Sequence, residues 1–482
     1  RHGFGIDRTT GAASDGALYE HEFLPRGTKF DIRITAEGRD GEKMGRDQSD
    51  GIPEPASSES VKKILEFIVD VLTSGAVSLG GRTGSGQGTI QVIEPKLRRT
   101  GGTTDSDTLT APADVLDTLI GQDEEGTPLP LELGGWSPQE PARIRITWCS
   151  PTGIFVAEDE KLTKQRKAQK EAENRKKGID EEVHEVVYPL RDPSVAWDEA
   201  QLLIPGTSIR GALRSRASRI ARTVLASRDD FERLASHDIH EQIAAEPNLV
   251  RYMFGSTNYR GAVTVHDCLS TDPGKCIEVT HNAIDRWTGG VIDGGLFTEA
   301  VYLGTHWEPI TIDIDLRQLL NNIEAEKGEA KSKPKKAKTK ETEQDDQRES
   351  QQREHVYAPY ARAAYVLLGL VLAELSAGTL PLGSRSTRGL GQVVVSTIKV
   401  EGADREGVDL PSWDFNGCEA LQQPATGAGV MTDALYKGQR ELARQILQHL
   451  KDKYDGTDWS KRLENGPGAA RKQSEGTGDA DD

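Results

Sequence analysis

This chain repeats itself, and the repeat limits what it can fold into. Residues 6–19 (IDRTTGAASDGALY) align without a gap on residues 284–297 (IDRWTGGVIDGGLF), and nine of the fourteen positions are identical or exchange aromatic for aromatic. A second pair follows in the same order. In residues 79–88 (LGGRTGSGQG) and 382–391 (LGSRSTRGLG), Leu79, Gly80, Arg82, Gly86 and Gly88 fall on Leu382, Gly383, Arg385, Gly389 and Gly391. Such self-similarity marks one supersecondary unit used twice.

Each glycine loop follows an apolar run with helical spacing and precedes a β-branched run. The helical positions are Ile64, Leu65, Ile68, Val69, Leu72 and Gly75 in the first copy, and Leu368, Val371, Leu372, Leu375 and Gly378 in the second. Residues 89–93 and 393–398 are the strands that follow. The offset between copies grows from 278 to 303, so the second holds 25 more residues (303 − 278). They fall in residues 324–354, a charged stretch without aromatics that cannot bury a core and is expected to be a disordered insertion, or a basic arm touching RNA.

The second copy also has an N-terminal half. Residues 142–156 alternate as a strand, residues 158–177 form a projecting charged arm, and a long helix opens at residues 204–208. There Pro205 and Gly206 turn the chain and Thr207 or Ser208 can cap the first turn. A turn at residues 255–258 and a strand to Cys268 complete the order strand, helix, strand, strand, helix, strand, which is that of a ferredoxin-like fold.

Net charge over the 482 residues is −17, which opposes general binding of polyanions. Its distribution is uneven. Residues 209–223 hold five arginines (Arg210, Arg214, Arg216, Arg219, Arg222) and no acid. Arg210 and Arg214, four apart on one helix face behind a free helix N-terminus, are candidates to hold phosphates bidentately. The glycine loops have neither the strand-then-helix order of a dinucleotide fingerprint nor a G-K-[ST], so no nucleotide cofactor is expected. They are expected to approach a nucleic-acid backbone closely, with Arg82, Arg385 and Arg388 beside it.

The segment IPGTSIRGALRSR, the MFG turn with its strand and D-C, the IDRxTG motif and GSRSTRGLGQV together resemble the RAMP superfamily, specifically the repeated backbone subunits of type III CRISPR effector complexes. The resemblance covers nearly all of residues 142–400 and, for the C-terminal half of the module, residues 1–95. It implies an α+β chain of tandem ferredoxin-like (RRM-like) RAMP modules, the first incomplete, similar to the fused forms of types III-D and III-E. Domain boundaries follow: residues 1–100 for the first half-module, 101–140 for a linker, 141–401 for the complete module with a thumb-like arm at 157–200, and 402–482 for a helical extension with a disordered tail.

By resemblance the partners are guide RNA, target RNA and other CRISPR effector subunits. The RNA contacts implied are Arg8, Arg82, Pro205, Gly206, Thr207, Ser208, Arg210, Arg214, Arg286, Gly383, Arg385, Arg388 and Gly389. The family's catalytic acid lies between the first strand and the PGTS helix and works with a divalent metal, Mg or Mn. Counting back from Asp192 reaches Val186 or Val187, which cannot do the chemistry. If the loop bulges, Asp180 of the sequence Gly-Ile-Asp is the acid; otherwise Glu185 or His184 is nearest, or the module is inactive. Asp7 and Asp285 are expected to fix loops, and His266 to be a satisfied core histidine.

The four cysteines form no C-x-x-C pair, no apolar run approaches the roughly 18 residues of a membrane span, and no signal pattern opens the chain. A cytoplasmic protein without a membrane partner is expected. The chain starts at Arg1 inside a motif, which suggests that an upstream part has been trimmed or is encoded separately. A scaffold without chemistry, a guide-processing endoribonuclease and a protein-interaction module are the alternatives.

Overall fold

The computed structural model describes residues 2–6, 13–20, 22–36, 58–75, 77–99, 127–134, 140–180, 183–197, 199–228, 238–328, 343–405, 408–417, 433–454 and 458–466. The protein is mixed α+β, with two compact units. The first comprises Arg1–Thr28, Gly84–Gly86 and Pro141–Asp482; the second comprises Lys29–Thr83 and Gln87–Glu140.

The repeat is a repeat of backbone. Strands β1 (His2–Ile6) and β2 (Ala13–Glu20) form a hairpin with Gly3 opposite Tyr19, Phe4 opposite Leu18 and, after a register shift, Ile6 opposite Ala13. The second copy reproduces each of these pairs 278 residues later, as His281 with Phe297, Asn282 with Leu296 and Ile284 with Val291, shifted at the same step. Gly16 and Gly294 both sit at φ 68°. In the glycine loops Leu79 N–H donates to Gly88 O at 2.8 Å and Leu382 N–H to Gly391 O at 2.9 Å. Arg82 and Arg385 both adopt the left-handed region, at φ 59° and 66°. A non-glycine residue rarely does so unless its surroundings impose it.

The second unit carries helix α1 (Ser58–Thr73), its glycine loop apart from Gly84–Gly86, and the pair β3 (Leu97–Arg99) and β4 (Thr127–Leu129). Of residues 101–140, expected as a linker, 127–134 and 140 are described. Their described part returns as a strand, and Gly134 N–H donates to Asp70 at 2.8 Å on α1.

The first unit is built on β5 (Ala142–Ser150), whose alternation is that of a strand with one buried face: Ala142, Ile144, Ile146 and Trp148 point in, Arg143 and Arg145 out. The charged arm is helix α2 (Glu160–Lys177), capped by Asp159 and ended by Gly178 in the left-handed region. Short strands β6 (Val186–Val187) and β7 (Leu203–Ile204) lead to α3 (Gly206–Leu225), which buries Ile209, Leu213, Ala217, Ala221 and Leu225 along one stripe. Helices α4 (Ile239–Ala244) and α5 (Asn248–Phe254) precede β8 (Val263–Val265) and β9 (Cys268–Asp272). A long hairpin of β10 (Lys275–Ile284) and β11 (Val291–Leu303) follows, then β12 (Thr305–Trp307), β13 (Ile310–Ile314), α6 (Leu316–Gly328), α7 (Glu343–Ser376) and β14 (Val394–Glu401).

The central strands lie in the order β14, β5, β13, β8, all antiparallel. Taking β5, β8, β13 and β14 as strands one to four, with α3 and α7 as the crossovers, this is the strand, helix, strand, strand, helix, strand order read from the sequence.

Three expectations change. The charged residues 324–354 are helical at both ends, where α6 runs to Gly328 and α7 begins at Glu343, while residues 329–342 lie outside the described residues. Segment Val356–Ser376 is long and apolar enough, by length and composition, to cross a membrane, yet 67% of it is buried within the protein; it is the core helix of the module. The extension beyond residue 402 is not a separate body. Pairs β15 (Ala403–Arg405) with β16 (Val408–Leu410) and β17 (Trp413–Asn416) with β14 lead to α8 (Asp433–Tyr454). Leu435, Leu442, Ile446 and Leu450 of α8 join the main core, whereas Leu447 stays exposed.

Candidate nucleic-acid interface

The β10–β11 hairpin carries more apolar surface than the protein covers. Its tip is an Asx turn: Asp285 Oδ1 accepts from Trp287 N–H at 2.6 Å and Thr288 N–H at 3.2 Å, so Asp285 fixes the loop. The turn holds Trp287 96% exposed, with Ile284, Val291, Ile292 and Leu296 also exposed and Arg286 at the surface beside them. A contiguous apolar tip of this kind marks a contact surface. Arg8, the counterpart of Arg286, lies outside the described residues, as does Asp7.

At the base of the same hairpin a buried carboxylate organises the glycine loop. Glu299 on β11 is 1% exposed and accepts from Arg385 Nε at 2.8 Å and from Arg388 Nη1 at 3.1 Å; His281 Nε2 stands 3.5 Å away. Arg388 lies over the Phe297 ring at 5.2 Å and Arg385 over the Phe155 ring at 5.7 Å. One carboxylate against two guanidiniums leaves a net positive charge, and both arginine side chains remain about two-fifths exposed. Gly383 and Gly389 are exposed, and a Cβ built on Gly389 would meet nothing within 4 Å. The loop can therefore lie close to a phosphate backbone while the arginines, each with donors to spare, face it. Neither Glu299 nor His281 stood out in the sequence. The signal available was a glutamate opening the otherwise apolar run Glu299–Tyr302, all four of which are buried.

The start of α3 departs from expectation. Its N-cap is Pro205, with no side-chain cap from Thr207 or Ser208; instead Gly206 N–H donates to the Asp267 carboxylate at 2.7 Å. A carboxylate of the protein thus occupies the site expected for a phosphate. Pro205 and Gly206 are buried, and a Cβ on Gly206 would lie 2.1 Å from Val265 O and 2.8 Å from Ser85 O, of the segment grouped with this unit. Thr207 and Ser208 are half-buried.

Arg210 and Arg214 also turn inward. Arg210 donates to Phe254 O at 2.6 Å and Val263 O at 3.2 Å, and burial, with Arg214 beside it, lowers its pKa to about 10 despite nearby Glu246. Arg214 pairs with the fully buried Glu246 and donates to Gly255 O at 3.0 Å. Their guanidiniums pin the MFG turn, so these arginines are not poised to grip phosphates. Arg216 pairs with Glu374 and Arg222 donates to Gln242 O at 3.3 Å. The basic stripe is largely internal wiring.

The expected acids stand apart from any assembled centre. Asp180 follows the end of α2 and is exposed, as are His184 and Glu185; Val186 and Val187 form β6 along β11. Among the described residues no three of His, Cys, Asp and Glu come together to hold a metal ion. The described residues around Asp180 therefore present no preassembled ligand set for Mg or Mn. The base of the arm is firmly built instead. Buried Glu158 binds Arg166 with a Nη1 contact of 2.7 Å, and the guanidiniums of Arg166, at 3.5 Å, and Arg191, at 4.5 Å, both lie against the Trp197 ring. Near the helix start His266 Nε2 meets Asp313 at 2.8 Å, and Arg143 Nε donates to the same carboxylate at 2.6 Å, so this histidine is satisfied.

Residues 202–394 match the family model described as the RAMP superfamily, a span running from β7 through the hairpin and α7 to the start of β14. The protein is a mixed α+β chain, and this part of it is similar to that superfamily. Among solved structures, one described as a type IV-B CRISPR complex is similar at 13% identity, covering 54% of this chain and 90% of that one with a TM-score of 0.26. So distant a likeness carries no argument about function. No curated protein matches the sequence.

Proposed function

We propose that this chain is a guide-RNA-binding backbone subunit of a CRISPR effector complex, of type III, made of tandem ferredoxin-like modules of which the first is incomplete. Its partners are guide RNA, complementary target RNA and other effector subunits, and its place is the cytoplasm. One observation carries the reading: both glycine loops hold the same arginine, Arg82 and Arg385, in a left-handed backbone between glycines of matching φ. A strained arrangement kept twice in one chain points to a repeated task, and a polymer with a repeating charged backbone supplies one. The exposed hairpin tip with Trp287 suits unstacking or bracing of bases beside that track.

The test is the salt dependence of binding to a labelled single-stranded RNA of guide length. Replacing Arg385 and Arg388 together by alanine is expected to weaken binding and flatten the slope of log K against log salt by about 1.4, at roughly 0.7 per phosphate contact on a single strand. An unchanged slope would sink the reading.

A second reading, a scaffold without chemistry, is favoured by the exposed and unassembled setting of Asp180 and Glu185. If the second module cuts target RNA, D180A in the assembled complex abolishes cleavage at its site and leaves guide binding intact. Equal cleavage by D180A removes Asp180 from the mechanism.

A further inference from the structure

The second unit leaves exposed an apolar segment, and single apolar positions of its helix and glycine loop, whose counterparts in the first unit are buried. Residues 29–35 (KFDIRIT) correspond to residues 309–315 (PITIDID) in a third repeated segment, with an offset of 280. Phe30, Ile32 and Ile34 are 44–59% exposed and join no described ladder, whereas Ile310, Ile312 and Ile314 are at most 2% exposed. The difference extends to the helix and loop: Ile64 and Leu79 are exposed, while their counterparts Leu367 and Leu382 are buried.

The second copy shows what covers such a face. There β13 is flanked by β5 and β8, the outer strands of a strand–helix–strand half whose helix is α3. Charge sharpens the comparison. On β13, Asp313 faces Arg143 of β5 across the ladder and takes hydrogen bonds from it; at the same place in the first copy stands Arg33. The occupant of the first copy therefore needs the opposite sign there.

We infer that Phe30–Ile34 is a docking edge for a partner polypeptide, which would also cover the exposed Ile64 and Leu79. That partner would supply a strand–helix–strand half-module of the kind formed by residues 142–265 of this chain, with a carboxylate on its first strand opposite Arg33. The pairing is antiparallel β-augmentation, with alternate side chains on the apolar face. It stands apart from the RNA proposal and is tested without RNA.

The full chain is probed with a nine-residue peptide copying residues 142–150, with glutamate at the place of Arg143 and serine at that of Cys149. Amide exchange over residues 29–36 is followed by mass spectrometry. The expected result is fast exchange in the free chain, saturable protection by the peptide, loss of that protection in I32D, and at least tenfold weaker binding of the same peptide with arginine restored. Slow exchange in the free chain would mean that other residues of this chain cover the edge, and would overturn the proposal. Concentration-dependent dimerisation abolished by I32D would make a second copy the occupant, and would overturn it too. Peptide binding indifferent to I32D or to the charge change refutes it as well.

Discussion

Replacing Glu299 with glutamine sets two electrostatic effects of opposite sign against each other. The substitution removes a negative charge behind the two arginines of the second glycine loop. A phosphate held on their far side would lie on the order of 7 Å from that charge, where the repulsion in water is about 0.6 kcal/mol, so charge alone predicts binding tighter by about threefold. The carboxylate also holds Arg385 and Arg388 in place. Releasing two long side chains returns roughly 1.5–2 kcal/mol of rotamer freedom each. Half of that, because both are partly exposed, gives about 1.5–2 kcal/mol that RNA binding must remove again. The net is about 1 kcal/mol against binding, a loss of about fivefold in affinity. Fluorescence anisotropy with a labelled single-stranded RNA at fixed salt reads it, with a thermal melt confirming that the variant is folded. Binding that stays equal or becomes tighter in a folded variant refutes the idea that Glu299 aims these arginines at RNA.

Trp287→Ala should leave stability within about 0.5 kcal/mol, because the ring touches little of the protein, while weakening RNA binding by roughly 1–3 kcal/mol if a base stacks on it; paired denaturation and binding curves decide. Arg214→Ala leaves buried Glu246 without its partner and should destabilise the fold by about 3–5 kcal/mol in urea, with the RNA affinity of the still-folded fraction unchanged. Burial pushes the Asp313 carboxyl up, but hydrogen bonds from His266 and Arg143, with their charges, outweigh it and hold the carboxyl below its ordinary range. Its contribution is therefore full above the unfolded pKa and lost as pH falls through the lower folded one. Unfolding free energy should drop below about pH 4, and D313N should flatten that drop.

Much of the fold was legible because burial wrote it into the sequence with a clear period. The alternation of residues 142–150 gave β5, and the i, i+4 spacing before each glycine loop gave α1 and the buried part of α7. The Asp-x-x-Thr-Gly motif pointed to a loop fixed by Asp285, which the turn of the β10–β11 hairpin has; the hairpin itself was not read from it. The site was less legible because type and spacing say nothing about which way a guanidinium points. Arg210 and Arg214 sit where a phosphate clamp should be, yet the carbonyls at the end of α5 and the carboxylate of Glu246 lie closer than any ligand. The helical ends of residues 324–354 are hard to read because charge density also marks disorder, although charged residues without proline or glycine runs are good helix formers. Phe30–Ile34 was missed as a repeat because alternation over five residues is faint beside a glycine motif.

Duplication has kept the backbone of this unit while letting its side chains diverge, and the two kinds of change have different consequences. The glycines and the left-handed arginine fix where the loop runs, so both copies can approach the same kind of polymer. The grip is a matter of side chains. Where the second copy has Trp287, Glu299 and Arg388, the first has Thr9, His21 and Ser85. In the sequence of the first copy, then, neither the carboxylate of Glu299 nor the second arginine is repeated. If the loops act on RNA through these groups, removing Arg82 should cost less affinity than removing Arg385 and Arg388 together, and E299Q should leave the first copy's contribution untouched. Equal losses from the two loops would mean that backbone amides, which the copies share, do the holding, and that the arginine pair on Glu299 serves the fold.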